Sequence, residues 1–394
     1  MIYHMLATCP EESKDVLVLE LKAMGVLEIR ILYKAVSFQG DEALFYRCHL
    51  SLRTASNLFW TLKFGPFAAK SDAYALAKRI SWPKLFAPSK SFRVDAIITE
   101  KDRHEFSGND LSKAVRTAIE EAFVKKGDKT PKVDIKDPKI LVVIHQRAGF
   151  ATISICTSGQ SLHKRAYRTT RHPAPIKETV AATILMLAGY DGSQALLDPF
   201  CGSGTIAIEA AQIALEKAGN IHRKKGSFGF EHLLAFNSKL FEEIKNGLRA
   251  AKKSELPSPI FASDINASYI SDAKENALRA RVEKYIHFNQ ASFFDLEKPA
   301  PEGILIANLP YGERLKTTDT SNSQIDFFKK IGNILKNQFQ GWQVYLLVLN
   351  EPSWKFIGLK PKCKFVVTNG SLDTRLLHFD IYSGSKKAKA TSNH

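Results

Sequence analysis

The chain has 394 residues, 44% apolar and 24% charged, with a formal net charge of +16. Its length exceeds what one core usually supports, and its longest apolar run, near Val180–Gly189, is too short to cross a bilayer. The start shows no basic-then-apolar leader and the five cysteines form no CxxC pair, which argues against secretion, a disulfide framework and a zinc site, and for a cytoplasmic protein with no membrane or metal partner.

Along the chain, Glu11–Met24 has helical spacing, Ile29–Tyr33 and Ala35–Phe38 read as short strands, and Asp41–Leu52 as a helix before a basic-aromatic stretch, Arg53–Lys63. A helix over Ala69–Ile80, a strand over Ser91–Thr99, a long helix over Asn109–Lys125 and strands over Lys139–His145 and Phe150–Thr157 complete two small α+β units expected to pack together. From Pro138 to Lys177 there is no acidic residue, while Lys139, Arg147, Lys164, Arg165, Arg168, Arg171 and Lys177 are basic; such clustering favours a nucleic-acid partner, with Lys164, Arg165, Arg168 and Arg171 as phosphate contacts.

Beyond Lys177 the pattern becomes alternating. Helix Lys177–Gly189, strand Ala195–Asp198, helix Gly204–Ala218, strand Pro259–Ser263, helix Ala267–Arg281, strands Ile286–Asn289 and Gly303–Asn308, helix Gln324–Gln338 and strand Gln343–Leu349 predict an α/β domain with a mostly parallel sheet covered on both faces. Lys364–Thr368 and Leu372–Tyr382 flank Asn369-Gly370-Ser371, a hairpin signal that ends the sheet antiparallel. The insertion between Ala218 and Leu256 is expected to cover the cofactor or substrate side, and the basic tail after Gly384 to be disordered.

Strand Ala195–Asp198 runs into DPFCGSGT, where Gly202 and Gly204 let a ligand approach the backbone. A Walker lysine is absent, and Asp198 would repel a pyrophosphate but could pair with the ammonium of a methionine moiety. That chemistry points to S-adenosylmethionine over a nicotinamide dinucleotide. Asp264 ends the next strand, where a carboxylate can accept ribose hydroxyls, and Asp295 follows the third, facing an adenine ring. Asn308 ends the fourth strand, within NLPY. Its side-chain oxygen and the Pro310 carbonyl can accept both N–H bonds of one aromatic amine while Tyr311 lies against the ring. This favours amine methylation over pyrimidine C5 chemistry, which needs a cysteine near this loop; none lies between Cys201 and Cys363.

DPFCGSGT (198–205), FASDIN (261–266) and NLPYGER (308–314) resemble the class I methyltransferases that modify guanine N2 in RNA. LHKRAYR (162–168), APIKETVAA (174–182) and TNGSLDTRLL (368–377) are similar to segments of the bacterial 23S ribosomal RNA branch, here in stand-alone form. VSFQGD (36–41) and LRTASN (52–57) resemble its ferredoxin-like and THUMP regions. The resemblance implies a ferredoxin-like subdomain at 1–58, a THUMP RNA-binding domain at 59–160, a Rossmann-like methyltransferase domain at 161–384 and a basic tail at 385–394. It further implies a cofactor site of Asp198, Pro199, Gly202, Ser203, Gly204, Thr205, Asp264, Ile265, Asn266, Asp295 and Asn308, with Asn308, Pro310 and Tyr311 holding the target guanine of a ribosomal RNA. Two departures stand out. Leu309 matches tRNA guanine-N2 enzymes, where the ribosomal branch commonly has proline, and Ala166 stands where glycine is usual. Transfer to tRNA guanine and to adenine N6 are the alternatives; a non-catalytic RNA-binding protein fits poorly with intact Asp198, Asp264 and Asn308.

Overall fold

The computed structural model describes residues 2–26, 28–98, 107–168, 176–310, 321–370 and 372–382, and the chain divides into two compact units. One comprises Met1–Leu162 with Arg223–Leu248; the other comprises His163–His222 with Arg249–His394. No helix among the described residues is long and apolar enough to cross a membrane.

The first unit runs β1 (Tyr3–Thr8), α1 (Lys14–Ala23), β2 (Ile29–Leu32), β3 (Ala35–Gly40), α2 (Glu42–Ser51), β4 (Asn57–Pro66), α3 (Lys70–Lys78), β5 (Phe92–Ile98), α4 (Gly108–Lys126), β6 (Ile140–Arg147) and β7 (Phe150–Cys156). Its strands make one continuous seven-stranded sheet, ordered β2-β3-β1-β4-β7-β6-β5, so the two small α+β units expected pack together by sharing that sheet. The join is made by β4, which overlaps the basic-aromatic stretch Arg53–Lys63. It pairs antiparallel with β1 on one side and with β7 on the other, bending at an irregularity between Thr61 and Lys63. Strand β1 was not anticipated, although Tyr3, Met5 and Ala7 are buried in strict alternation. Buried Glu20 of α1 accepts from the amides of Arg53 and Thr54, fixing the turn between α2 and β4.

The chain continues with α5 (Glu178–Leu187), β8 (Leu196–Asp198), α6 (Thr205–Ala214), α7 (Ser238–Ala250, in the first unit as far as Leu248), β9 (Ile260–Asp264), α8 (Ala267–Arg279), β10 (Ile286–Gln290), β11 (Gly303–Asn308), α9 (Ser321–Gln338), β12 (Trp342–Leu349), β13 (Cys363–Asn369) and β14 (Leu372–Asp380), all but α7 in the second unit. The sheet order is β10-β9-β8-β11-β12-β14-β13, parallel through β12 and closed by the antiparallel hairpin. In the run Gly303–Asn308, Ile304 and Ile306 enter one core cluster while Leu305 and Ala307 enter the other, so both faces of β11 are buried. From β8 the chain fills one side of the sheet through β9 and β10, then crosses to β11 on the other. The carboxyl ends of β8 and β11 therefore border a topological switch point, where open α/β sheets bind ligands.

Within the insertion, residues Arg223–Leu248 fold with the first unit. Arg223 donates to the carbonyls of Ser158, Gln160 and Ser227. Phe228, Phe230, Phe236 and Phe241 join Phe45, Tyr46 and His49 in one aromatic cluster. A Cβ on Gly229 would fall 2.2 Å from the Cys156 carbonyl oxygen, so only glycine allows this close approach. Four aromatic side chains inside a polar segment were the available signal that it packs into a core.

Candidate active site

Asp198 and Asn308 close adjacent parallel strands, since β8 and β11 pair through Leu196–Ile304 and Leu197–Leu305. Each holds a buried Oδ1 with no hydrogen-bond partner among the described residues. Two unpaired acceptors in one crevice are costly to bury unless a donor arrives, so this pair points to a ligand rich in N–H groups or positive charge. Burial holds the Asp198 carboxyl well above the usual carboxylate range; the Phe200 amide opposes that rise and Asp264 adds to it. A ligand ammonium would offset that burial.

The turn between β8 and α6 is built for close approach. Gly202 and Gly204 have φ of 50° and 80°, and a Cβ on Gly204 would sit 3.0 Å from the Ala273 side chain. Asp264, at the end of β9, accepts from the Gly202 amide (3.0 Å) with one oxygen and from the Asn266 amide (3.0 Å) with the other. Asn266 caps α8 through the Ser268 amide, while Ile265 is 71% exposed beside it. Asp295 is exposed at the end of a 3-10 turn after β10. Pro199 and Ser203 lie in the glycine turn, and the Ser203 carbonyl accepts from Asn276 of α8, a buried amide that sequence reasoning missed. Its signal was a polar side chain on the apolar face of α8. The Leu309 amide donates to Leu347 of β12, a bond that proline at this position would lack, and Pro310 lines a small depression with Leu349 and Glu351. Tyr311 lies outside the described residues.

The basic segment needs correction. Arg165 is not available to a phosphate: it is 2% exposed, pairs with Glu209 of α6 at 3.1 Å and donates to Asn220. Arg168 donates to the Thr205 hydroxyl (2.7 Å) and the Ile176 carbonyl and faces Glu178, so it too is engaged internally, and Thr205 supports the turn through the same bond. Tyr167 also reaches Glu209. The segment thus grips the first turns of α6. Lys164 is exposed, and Arg171 lies outside the described residues.

The switch-point crevice, the glycine turn and the ordered carboxylates define a class I S-adenosylmethionine-dependent methyltransferase domain. Residues 165–378 match the family described as RMKL-like, methyltransferase domain; residues 68–156 match a THUMP domain and residues 4–58 an RlmL ferredoxin-like domain. The chain belongs to this THUMP-containing RMKL-like methyltransferase family, whose methyl donor is S-adenosyl-L-methionine. It is 31% identical over 363 residues to a Synechocystis sp. protein provisionally named an RNA methyltransferase, covering 92% of this chain and 93% of that protein. It is 33% identical over 386 residues to the ribosomal RNA large subunit methyltransferase K/L of Shewanella pealeana, covering 96% of this chain but 52% of that protein. A crystal structure from Listeria monocytogenes, provisionally described as an N6-adenine-specific DNA methylase, superposes with a TM-score of 0.84 at 25% identity, covering 98% of this chain and 97% of that one.

Proposed function

We propose that the protein transfers a methyl group from S-adenosylmethionine to the exocyclic N2 amine of a guanosine in large-subunit ribosomal RNA. The carrying observation is the pair of buried oxygens of Asp198 and Asn308, unpartnered among the described residues, at the ends of neighbouring strands. When bound, the cofactor supplies an electrophilic methyl on a sulfonium. Asp198 receives the methionine ammonium, Gly202 and Gly204 admit the chain beside the backbone, Asp264 accepts from the ribose and Asp295 from the adenine amine. Asn308 and the Pro310 carbonyl accept the two N–H bonds of the target amine, and Tyr311 supports its ring. An aromatic amine's lone pair is delocalised into the ring; acceptors on both hydrogens favour a pyramidal nitrogen whose lone pair is free to attack. The proton leaves after transfer, so no strong base is needed.

Residues 1–58 and 59–160 serve RNA binding and 161–384, apart from the 223–248 stretch that folds with the first unit, the transfer, in keeping with the names of the ribosomal and Synechocystis relatives. Adenine N6 methylation is the second reading, because Asn308 would hold that amine equally well and the Listeria protein carries that description. Incubation with labelled cofactor and separated cellular RNAs, followed by nucleoside analysis, tests both. N2-methylguanosine in 23S RNA is expected; label in N6-methyladenosine or confined to tRNA overturns the assignment.

A further inference from the structure

One face of the amino-terminal sheet carries aromatic and basic side chains that the described residues of its unit leave wholly or partly exposed. Register places Phe64, Thr152, His145 and Ile97 in a row across β4, β7, β6 and β5, so the four share a face. Gly65, the next residue of β4, points the other way: an added Cβ there would lie 3.0 Å from Leu76, so α3 covers the opposite side. On the first face Phe64 and Phe150 stack with centroids 5.2 Å apart and planes within 8°, yet remain 62% and 47% exposed. Exposed Arg147 stands opposite Phe150 in the β6–β7 pair, and its guanidinium lies 5.1 Å from the ring of Tyr33, with Lys34 over the same ring.

Chemistry selects the occupant. A second copy of the chain or a peptide would need contiguous apolar surface, which Thr152, His145 and Arg147 interrupt. Flat rings interleaved with cations and hydrogen-bonding groups suit bases that stack while their phosphates meet the positive charge. Nearby carboxylates do not oppose this, since Glu11 is paired with Lys14 and Asp95 with Arg93. We propose that this sheet face is a stacking platform for unpaired nucleotides of the RNA substrate, Phe64 and Phe150 taking bases and Arg147 a phosphate. The proposal rests on the RNA reading above and adds a site distant in sequence from the methyltransferase domain.

The test uses the full chain and two labelled probes, an unstructured twelve-nucleotide RNA and a perfect RNA duplex. A Phe64→Leu/Phe150→Leu double variant keeps apolar cover but removes both flat faces. It is expected to lose about tenfold or more in affinity for the single strand, with little change for the duplex and unchanged affinity for S-adenosylhomocysteine. Phe64→Tyr/Phe150→Tyr should retain single-strand binding. Unchanged single-strand affinity in the leucine variant overturns the platform, as does a dimer in the wild type that the variant converts to monomer. Should the leucine pair fail to fold, as judged by thermal melting, Arg147→Gln decides: weaker single-strand binding upholds the site and unchanged binding overturns it. Wild-type methylation of cellular RNA is scored separately, so a failed platform is distinguishable from a failed function.

Discussion

Asp198 is buried so deeply that it ionises readily only when a cation comes to it, and this gives cofactor binding a pH signature. Its raised carboxyl stays protonated between the ordinary carboxylate range and its elevated value. The stability it contributes is full below the unfolded value and is lost as pH rises through the folded one. A methionine ammonium replaces that proton, so affinity for S-adenosylhomocysteine should increase with pH across the same window, with protons released into the buffer. Calorimetry in buffers of different ionisation heat checks this. Asp198→Asn should abolish the proton release and weaken binding about tenfold or more, as expected for loss of a charge-assisted hydrogen bond. Asn308→Ala should instead cut turnover about a hundredfold, the scale of removing one preorganised hydrogen-bonding group, while leaving cofactor affinity intact. Equal losses in both quantities would move Asn308 from the amine to the cofactor. These residues were legible in the sequence because each is a polar group ending an apolar strand. Arg165 was not, because its burial depends on Glu209, 44 residues further on.

Around α6, two arginines three residues apart face one helix because the backbone turns sharply between them. Ala166 has φ of 69°, a region that favours glycine, and Arg165 and Arg168 reach Glu209 and Thr205 on successive turns. Removing one member of a buried ion pair strands the other, so Arg165→Ala should destabilise the protein by about 3–5 kcal/mol, read by denaturant unfolding. A loss below 1 kcal/mol would show that water reaches Glu209. Ala166→Gly should stabilise by roughly 0.5–1 kcal/mol, relief of the left-handed strain exceeding the added freedom of the unfolded chain. At this scale the alternating half was readable almost strand for strand, since continuous apolar runs between turn residues leave little choice of period. In the amino-terminal half, the two-residue period of Tyr3, Met5 and Ala7 was short enough to escape notice. The joining role of β4 depends on partners about 50 residues before it and 90 after it, which no local pattern records.

Across the whole molecule, a net charge of +16 favours polyanions, but the structure changes which cations can act. Arg165 and Arg168 are engaged with Glu209 and Glu178, so their charge is compensated inside the protein. Exposed lysines such as Lys164, Lys224 and Lys225 are left to carry the attraction. Counterion release then predicts a measurable number. With roughly three phosphate contacts on a duplex, affinity should fall about fortyfold between 0.05 and 0.2 M salt. Lys164→Gln should lower the slope of log affinity against log salt by about 0.9 if that lysine meets a phosphate, and should weaken binding equally for all sequences, because a phosphate contact reads no base. Filter binding at four salt concentrations is sufficient. A salt-independent affinity would mean that neutral contacts hold the RNA, and an unchanged slope in the variant would leave Lys164 as an ordinary solvated side chain.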